Sequence, residues 1–176
     1  MRPTNAALAR RITTLRALVV ASLAAWIVGF VAPSIWLGAA ALAPVLSFPY
    51  GVVCHQDPAK LLVIAGEPTL VCARCAGIYL GAFLASAFAL ALGARFRKPR
   101  ESLVFAVVAF LAADAFGATL GAYDYSKPLA IATGAAFGAV VGAYVLAAIE
   151  EAALAFRRDE TGARDDSSVC SLGKKE

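Results

Sequence analysis

Long apolar runs constrain this chain more than any other feature of its sequence. An α-helix needs about 20 apolar residues to cross the hydrocarbon core of a bilayer. Backbone polar groups find no water there, so such segments form helices or closed barrels. The sequence therefore predicts an all-α, polytopic transmembrane helical bundle with a short irregular extracytoplasmic loop that carries a cysteine–histidine motif. The runs lie at 17–48, 71–93, 102–123 and 128–154.

The composition favours a membrane protein and argues against a nucleic-acid-binding one. Hydrophobic residues make up 61% of the chain and charged residues 16%, whereas soluble domains carry about 25% charged residues. The net charge is +4, but the basic residues flank apolar runs, where they determine topology. They are not interleaved with aromatic residues as on a nucleic-acid surface. We therefore expect the lipid bilayer, and no nucleic acid, as the partner of this chain.

The number of crossings in the first apolar run, 17–48, is open. The run is too long for one straight span and short for two, and Pro33-Ser34 mark a helix boundary within it. It is also longer than the apolar region of a secretory signal peptide, so we expect it to stay in the membrane. We predict a span near 17–33 and a short helix at 34–48. This gives four spans in total, with five as the alternative.

Basic residues predict the orientation of the bundle. The short connection at 95–100 carries four of them and is expected in the cytoplasm, so the other end of the span at 71–93 faces outward. The chain is then a multi-pass protein of a bacterial inner membrane with both termini in the cytoplasm. We expect a basic arm at 1–16, a single transmembrane domain at 17–156 and a disordered tail at 157–176.

Small residues recur at every fourth position in the last three spans, which places them on one stripe of each helix. In lipid, helices associate through close approach and van der Waals contact. The stripes predict tight packing, within the bundle or against a second copy or a larger membrane complex. They consist of Gly77, Gly81, Ala85, Ala89 and Gly93, then Ala113, Gly117 and Gly121, and then Gly134, Gly138 and Gly142.

One acidic residue, Asp114, lies inside the predicted span at 102–123. An ionised aspartate at the centre of a membrane helix costs about 2.5–3.5 kcal/mol, so it needs a partner, a proton or water. We predict that it pairs with Arg74, because that side chain is long and belongs to the neighbouring span. A direct role of Asp114 in the site is the alternative. Tyr79, one turn beyond Cys75, either adds a hydroxyl to the site or anchors its helix at the interface.

The residues that can carry chemistry are concentrated between 54 and 75. Cys72 and Cys75 have the C-x-x-C spacing that lets two sulfurs bind one metal or form a redox-active disulfide. Cys54 and His55 lie about 17 residues upstream, close to the separation of ligand pairs in four-ligand zinc modules. Adjacent side chains diverge, so Cys54 and His55 can both reach one ion only if the backbone bends between them. Pro58 lies nearby and favours such a bend.

Three functions fit this pattern. In the first, zinc or another soft transition metal is bound by Cys54, His55, Cys72 and Cys75. In the second, Cys72 and Cys75 exchange thiols for a disulfide with Cys54 as a third sulfur, Arg74 lowers the pKa of a thiol, and a quinone accepts the electrons. In the third, two of the cysteines form a structural disulfide in an oxidising outer compartment. Whether the chain is an enzyme stays open.

Several other classes of site are absent from the sequence. It contains no nucleotide-binding loop, no serine–histidine–acid set and no paired catalytic carboxylates. The fourth cysteine, Cys170, lies alone in the charged tail, and we expect no function for it.

The motif resembles that of a bacterial family of predicted membrane proteins, the domain of unknown function 2085. The resemblance covers roughly 45–145 and implies a membrane protein but no activity. Asp114 and Thr133-Gly134 also fit the family pattern, while Ala115 and Ala130 stand where a glycine and an arginine are expected. The signature residues are Cys54-His55-Gln56, Cys72, Arg74, Cys75, Gly77, Ile78, Tyr79 and Gly81.

Overall fold

The computed structural model describes the backbone at 5–93 and 98–172, and the side chains at 9–93, except 37 and 39, and at 98–155. Within these residues, four helices are long and apolar enough to cross a membrane. The predicted all-α bundle with four spans is confirmed. The four helices are α1 (Asn5–Ile35), α4 (Ala73–Leu92), α5 (Glu101–Thr119) and α6 (Lys127–Leu172).

The connection between α1 and α4 contains two short helices, α2 (Leu37–Ala40) and α3 (Ala43–Val53). At 1.5 Å per residue, α3 is about 16 Å long, roughly half of the hydrocarbon thickness. It therefore does not add a fifth span. Proline in its first turn suits a helix start, because the missing N–H has no partner at that position.

A two-stranded antiparallel hairpin of β1 (Leu61–Ile64) and β2 (Glu67–Cys72) follows a 3₁₀ turn at Pro58–Lys60. Its two-residue loop, Ala65-Gly66, has positive φ at both positions, as the tight turn that matches strand twist requires. Leu61 pairs with Cys72 at the base of the hairpin. The predicted span at 71–93 thus begins at Ala73, because Val71 and Cys72 belong to the strand.

The small-residue stripes of α4 and α6 pack directly against each other. A Cβ atom added to Gly77 or Gly81 would overlap a backbone carbonyl oxygen of α6, and one added to Gly134 or Gly138 would overlap a carbonyl oxygen of α4. The predicted close packing is confirmed for this pair of helices. These glycine faces are consequently buried inside one chain and are not available to a second protein. Gly117 of α5 instead contacts the ring of Tyr123.

The end of the bundle opposite the hairpin is held by a buried ion pair. Arg16 of α1 and Glu150 of α6 are 6% and 4% exposed, and Arg16 Nη2 lies 2.5 Å from Glu150 Oε1. Arg16 Nη1 also donates to the carbonyl oxygen of Ala89 in α4. The helix therefore extends into the segment expected to be a basic arm, and Arg16 ties three spans together.

Several sequence predictions concern residues whose backbone or side chains the structure does not describe. Arg95 and Arg97, two of the basic residues behind the predicted orientation, lie outside the described residues, as do 1–4 and 173–176. The backbone of α6 is helical through Leu172, which includes most of the segment for which we predict disorder. The side chain of Cys170 is not described, and the cytoplasmic position of both termini stays a prediction.

Candidate metal centre

Three cysteine sulfurs meet where the hairpin joins α4. The Sγ atoms of Cys54, Cys72 and Cys75 all lie within 4.8 Å of one another, and all three residues are free cysteines. Cys54 directly follows α3, Cys72 ends β2 and caps α4, and Cys75 lies in the first turn of α4. The hairpin thus brings Cys54 next to a C-x-x-C pair 18 residues further on.

Gln56 fixes the approach of Cys54 to the pair. Its backbone is in the left-handed region, at φ 51°, which turns the chain sharply after His55. Its side-chain amide nitrogen, Nε2, donates to the backbone carbonyl oxygens of Leu70 in β2 and Ser47 in α3, at 3.0 and 3.3 Å. Sequence reasoning assigned Gln56 no role, although it belongs to the quoted signature.

His55 does not join the sulfurs. Among the described residues, the group contains the three cysteines alone, and the side chain of His55 is exposed. The reason is local geometry: Cys54 is extended, at φ −137° and ψ 132°, and successive side chains of an extended chain point to opposite sides. With Cys54 buried, His55 lies outside the group, so three of the four residues in the predicted ligand set converge in this structure.

Hydrogen bonds within the group favour a thiolate at Cys54. The thiol of Cys72 donates to its sulfur, with a second contribution from Cys75, and this holds the pKa of Cys54 well below its usual range. The backbone N–H of Cys72 also donates to Cys54 Sγ, at 3.2 Å. The same interaction raises the pKa of Cys72. The neighbouring cysteines are therefore the main cause of the lowered pKa of Cys54, and Arg74 is not among the main causes.

Aromatic and aliphatic side chains enclose the sulfurs on the bundle side. Cys54, 4% exposed, belongs to a buried cluster with Phe30, Tyr50 and Val71. Trp26 packs against Tyr50 with ring centroids 4.5 Å apart, and the Tyr50 hydroxyl donates to the backbone oxygen of Trp26. Tyr79 also packs in this cluster, 5.9 Å from the Trp26 ring, so its ring supports the wall of the site.

Arg74 and Asp114 form the predicted ion pair. Arg74 Nη2 and Nε lie 2.5 and 3.2 Å from Asp114 Oδ2. The carboxylate of Asp114, whose side chain is 6% exposed, also accepts from the hydroxyl of Tyr123 and lies 3.1 Å from the hydroxyl of Thr133. The carboxylate of Asp114 in α5 therefore links α5 to α4 through Arg74, which lies within the C-x-x-C pair, and to α6 through Thr133. Sequence reasoning did not identify Tyr123.

Replacing Asp114 with alanine should destabilise the protein by about 3 kcal/mol, because it leaves the guanidinium of Arg74 unpaired in a poorly hydrated site. The measurement is the midpoint of thermal unfolding in detergent. Asp124, an exposed residue in the connection between α5 and α6, supplies the control: Asp124→Ala should leave the midpoint nearly unchanged. Equal shifts in the two variants would contradict the role given to Asp114.

Tyr125 is a second residue that the sequence did not single out. Its hydroxyl is buried without a hydrogen-bond partner among the described residues, and Lys60 Nζ lies 5.8 Å from the centre of its ring. Burial raises the pKa of the hydroxyl, and Cys72 and Arg74 contribute smaller effects. The Tyr125 hydroxyl is therefore a buried polar group that the hydrogen bonds among the described residues leave unused.

An apolar groove of about 740 Å³ runs along α1, α4 and α6. Trp26, Val53 and Tyr79 line one part of it, and Leu15 and Ile149 line another. The carbonyl oxygen of Val53 lies 4.0 Å from Cys75 Sγ, so the groove reaches residues that touch the sulfur group.

Comparison with known proteins places this site in a recognised sequence family. The model of a family described as predicted membrane protein, DUF2085, matches residues 54–144, a segment that begins at Cys54. A protein of Methanothermobacter thermautotrophicus described as an uncharacterized protein is 29% identical over 82 residues, which are 47% of this chain and 74% of that protein. No solved structure matches the chain.

Proposed function

The chain belongs to DUF2085, a family of predicted membrane proteins. Within this membrane family, we propose that the chain is a metal-binding protein whose three sulfurs hold one soft metal ion. The convergence of Cys54, Cys72 and Cys75 within 4.8 Å carries the proposal. With metal–sulfur bonds of about 2.3 Å, sulfurs on one tetrahedral ion lie about 3.8 Å apart. A contraction of about 1 Å or less therefore closes this group around an ion.

The arrangement of charge and burial supports a binding site over an isolated structural thiol cluster. Thiolates are the ligand form of cysteine, and hydrogen bonds from the neighbouring cysteines lower the pKa of Cys54. Cys72 and Cys75 are half-buried, so an ion can reach them from the surface. The basic connection at 95–100 favours an outward-facing site, where the protein would bind or hand on a metal.

In the test of this proposal, we expect wild-type protein purified in detergent to carry about one soft metal ion per chain, and Cys75→Ser to lose it because a hydroxyl is a poor ligand for soft ions. Elemental analysis by mass spectrometry measures the content. Two matched variants should keep the metal: His55→Ala, outside the sulfur group, and Cys170→Ser, which removes the tail thiol. Metal-free wild-type protein, after growth with zinc and copper supplied, would refute the proposal.

A thiol–disulfide oxidoreductase is the second candidate, favoured by the groove that reaches Val53 and Tyr79 beside Cys75. Cys72 and Cys75 together would lose two electrons and two protons to form a disulfide, and a quinone in the groove would accept them to become a quinol. This candidate predicts metal-free protein with a reducible Cys72–Cys75 bridge. Thiol counting before and after addition of a soluble quinone separates it from metal binding.

A further inference from the structure

We infer that the ion held by this site is monovalent copper, bound by three sulfurs with no fourth protein ligand. The inference rests on the proposed metal binding and specifies its chemistry. It replaces zinc, the ion that the sequence suggests first, because the structure changes the set of donors on which that expectation depended.

The first argument is the number of donors. Structural zinc sites are almost always four-coordinate, and the sequence offered His55 as the fourth ligand. The group found among the described residues has three sulfurs and no nitrogen or carboxylate oxygen. Monovalent copper is stable in a trigonal plane of three sulfurs, and soft thiolates select it. Three sulfurs therefore form a complete site for copper and an incomplete one for zinc.

The second argument is the surroundings of the sulfurs. Zinc on three cysteines would take a water molecule as its fourth ligand. Cys72 and Cys75 are half-buried, so this water would have to lie on their solvent-facing side, because a water molecule on the bundle side would need two to four polar partners. The bundle side of the site is formed by Phe30, Tyr50 and Val71, which are 2%, 2% and 0% exposed. The Tyr50 hydroxyl is already bonded to the backbone of Trp26. A copper ion that needs no water suits this wall better than a hydrated zinc ion.

The third argument concerns the charged groups nearby. Arg74 lies between the two cysteines of the C-x-x-C pair, but its guanidinium is bound to Asp114. The exposed ammonium of Lys60 is bound to Asp57, 3.3 Å away. Selectivity at this site therefore comes from the sulfurs and the apolar wall. The Tyr125 hydroxyl, which is buried without a hydrogen-bond partner among the described residues, is the polar group to test if zinc binds with water as its fourth ligand.

The test uses full-length Cys170→Ser protein in detergent under anaerobic conditions, loaded separately with Cu(I) and with Zn(II) against a chromophoric chelator. We expect one Cu(I) per chain, with X-ray absorption showing three sulfur neighbours and no nitrogen or oxygen. We expect Zn(II) to bind to this protein at least 100-fold more weakly than it binds to a protein site with four ligands. Cys54→Ser should lower the copper affinity at least 100-fold, while His55→Ala should leave both the affinity and the spectrum unchanged.

Two results would overturn the inference, and they are distinguishable. Tightly bound Zn(II) with three sulfurs and one oxygen or nitrogen would refute copper selectivity while leaving the proposed metal function intact. In that case, weaker zinc binding in Tyr125→Phe or in His55→Ala would identify the side chain that provides or supports the fourth ligand. Failure of both ions to bind would refute the inference together with the proposed function. Variants that do not fold are recognised by their melting curves, and Cys72→Ser then replaces Cys54→Ser.

Discussion

Alanine in place of Gly138 is expected to force α4 and α6 apart and to destabilise the protein by on the order of 3 kcal/mol. The added Cβ would overlap the carbonyl oxygen of Ile78. This oxygen belongs to a helix backbone, so no rotamer change can relieve the clash and the helix itself has to shift. In lipid, close packing is what holds the two helices together.

The effect should also reach the metal centre. Ile78 lies three residues after Cys75 on α4, so a displaced α4 moves two of the three sulfurs relative to Cys54. We therefore expect Gly138→Ala to lower both the melting temperature in detergent and the metal content. Gly38→Ala is the matched control, because an added Cβ there meets no described atom within 4 Å. Alanine in a helix is more favourable than glycine by roughly 1 kcal/mol of folding free energy, so this control variant should be as stable as the wild-type protein or more stable.

The second large effect is expected from Arg16→Met, which leaves the carboxylate of Glu150 buried without its partner. Breaking a buried ion pair from one side costs about 3–5 kcal/mol. Both side chains are at most 7% exposed and lie in membrane-spanning helices, where water cannot replace the lost contact. Thermal unfolding in detergent and the yield of folded protein from membranes both measure the loss.

A double variant separates pairing from packing. Replacing both partners, Arg16→Met with Glu150→Met, removes the unpaired charge, and such replacements are often neutral or stabilising. We expect the double variant to regain most of the stability lost by Arg16→Met. Lys98→Met is the matched control, because the pair of Lys98 and Glu151 is largely exposed and should matter little. A double variant as unstable as the single one would show that Arg16 acts through its other contacts.

The pairing of Arg74 with Asp114 shows how far sequence reasoning can reach into tertiary structure. A charged residue in a membrane helix has few ways to be satisfied, and Arg74 was the long basic side chain on the neighbouring span. The ion pair is confirmed. The same reasoning missed the pair of Arg16 and Glu150. Arg16 falls in the segment predicted to be a basic arm, and Glu150 falls near the end of the predicted span at 128–154, so both were expected to be solvated.

The sequence by itself determined the class of the protein and the C-x-x-C pair at the centre of its candidate site. Four apolar segments of sufficient length form membrane helices, because hydrocarbon leaves the backbone few other hydrogen-bonded structures. The C-x-x-C spacing likewise kept Cys72 and Cys75 close together, because only two residues separate them along the chain. Both results follow from local rules.

Tertiary structure decided which other residues belong to the site. Cys54 and His55 are neighbours in sequence, and only the extended backbone at Cys54 and the turn at Gln56 direct one inward and the other outward. The glycine stripes could have served a second protein, and only the packing of α4 on α6 shows that they serve the chain itself. Both outcomes depend on contacts between distant segments, whose free energies are not encoded in any local pattern of residues.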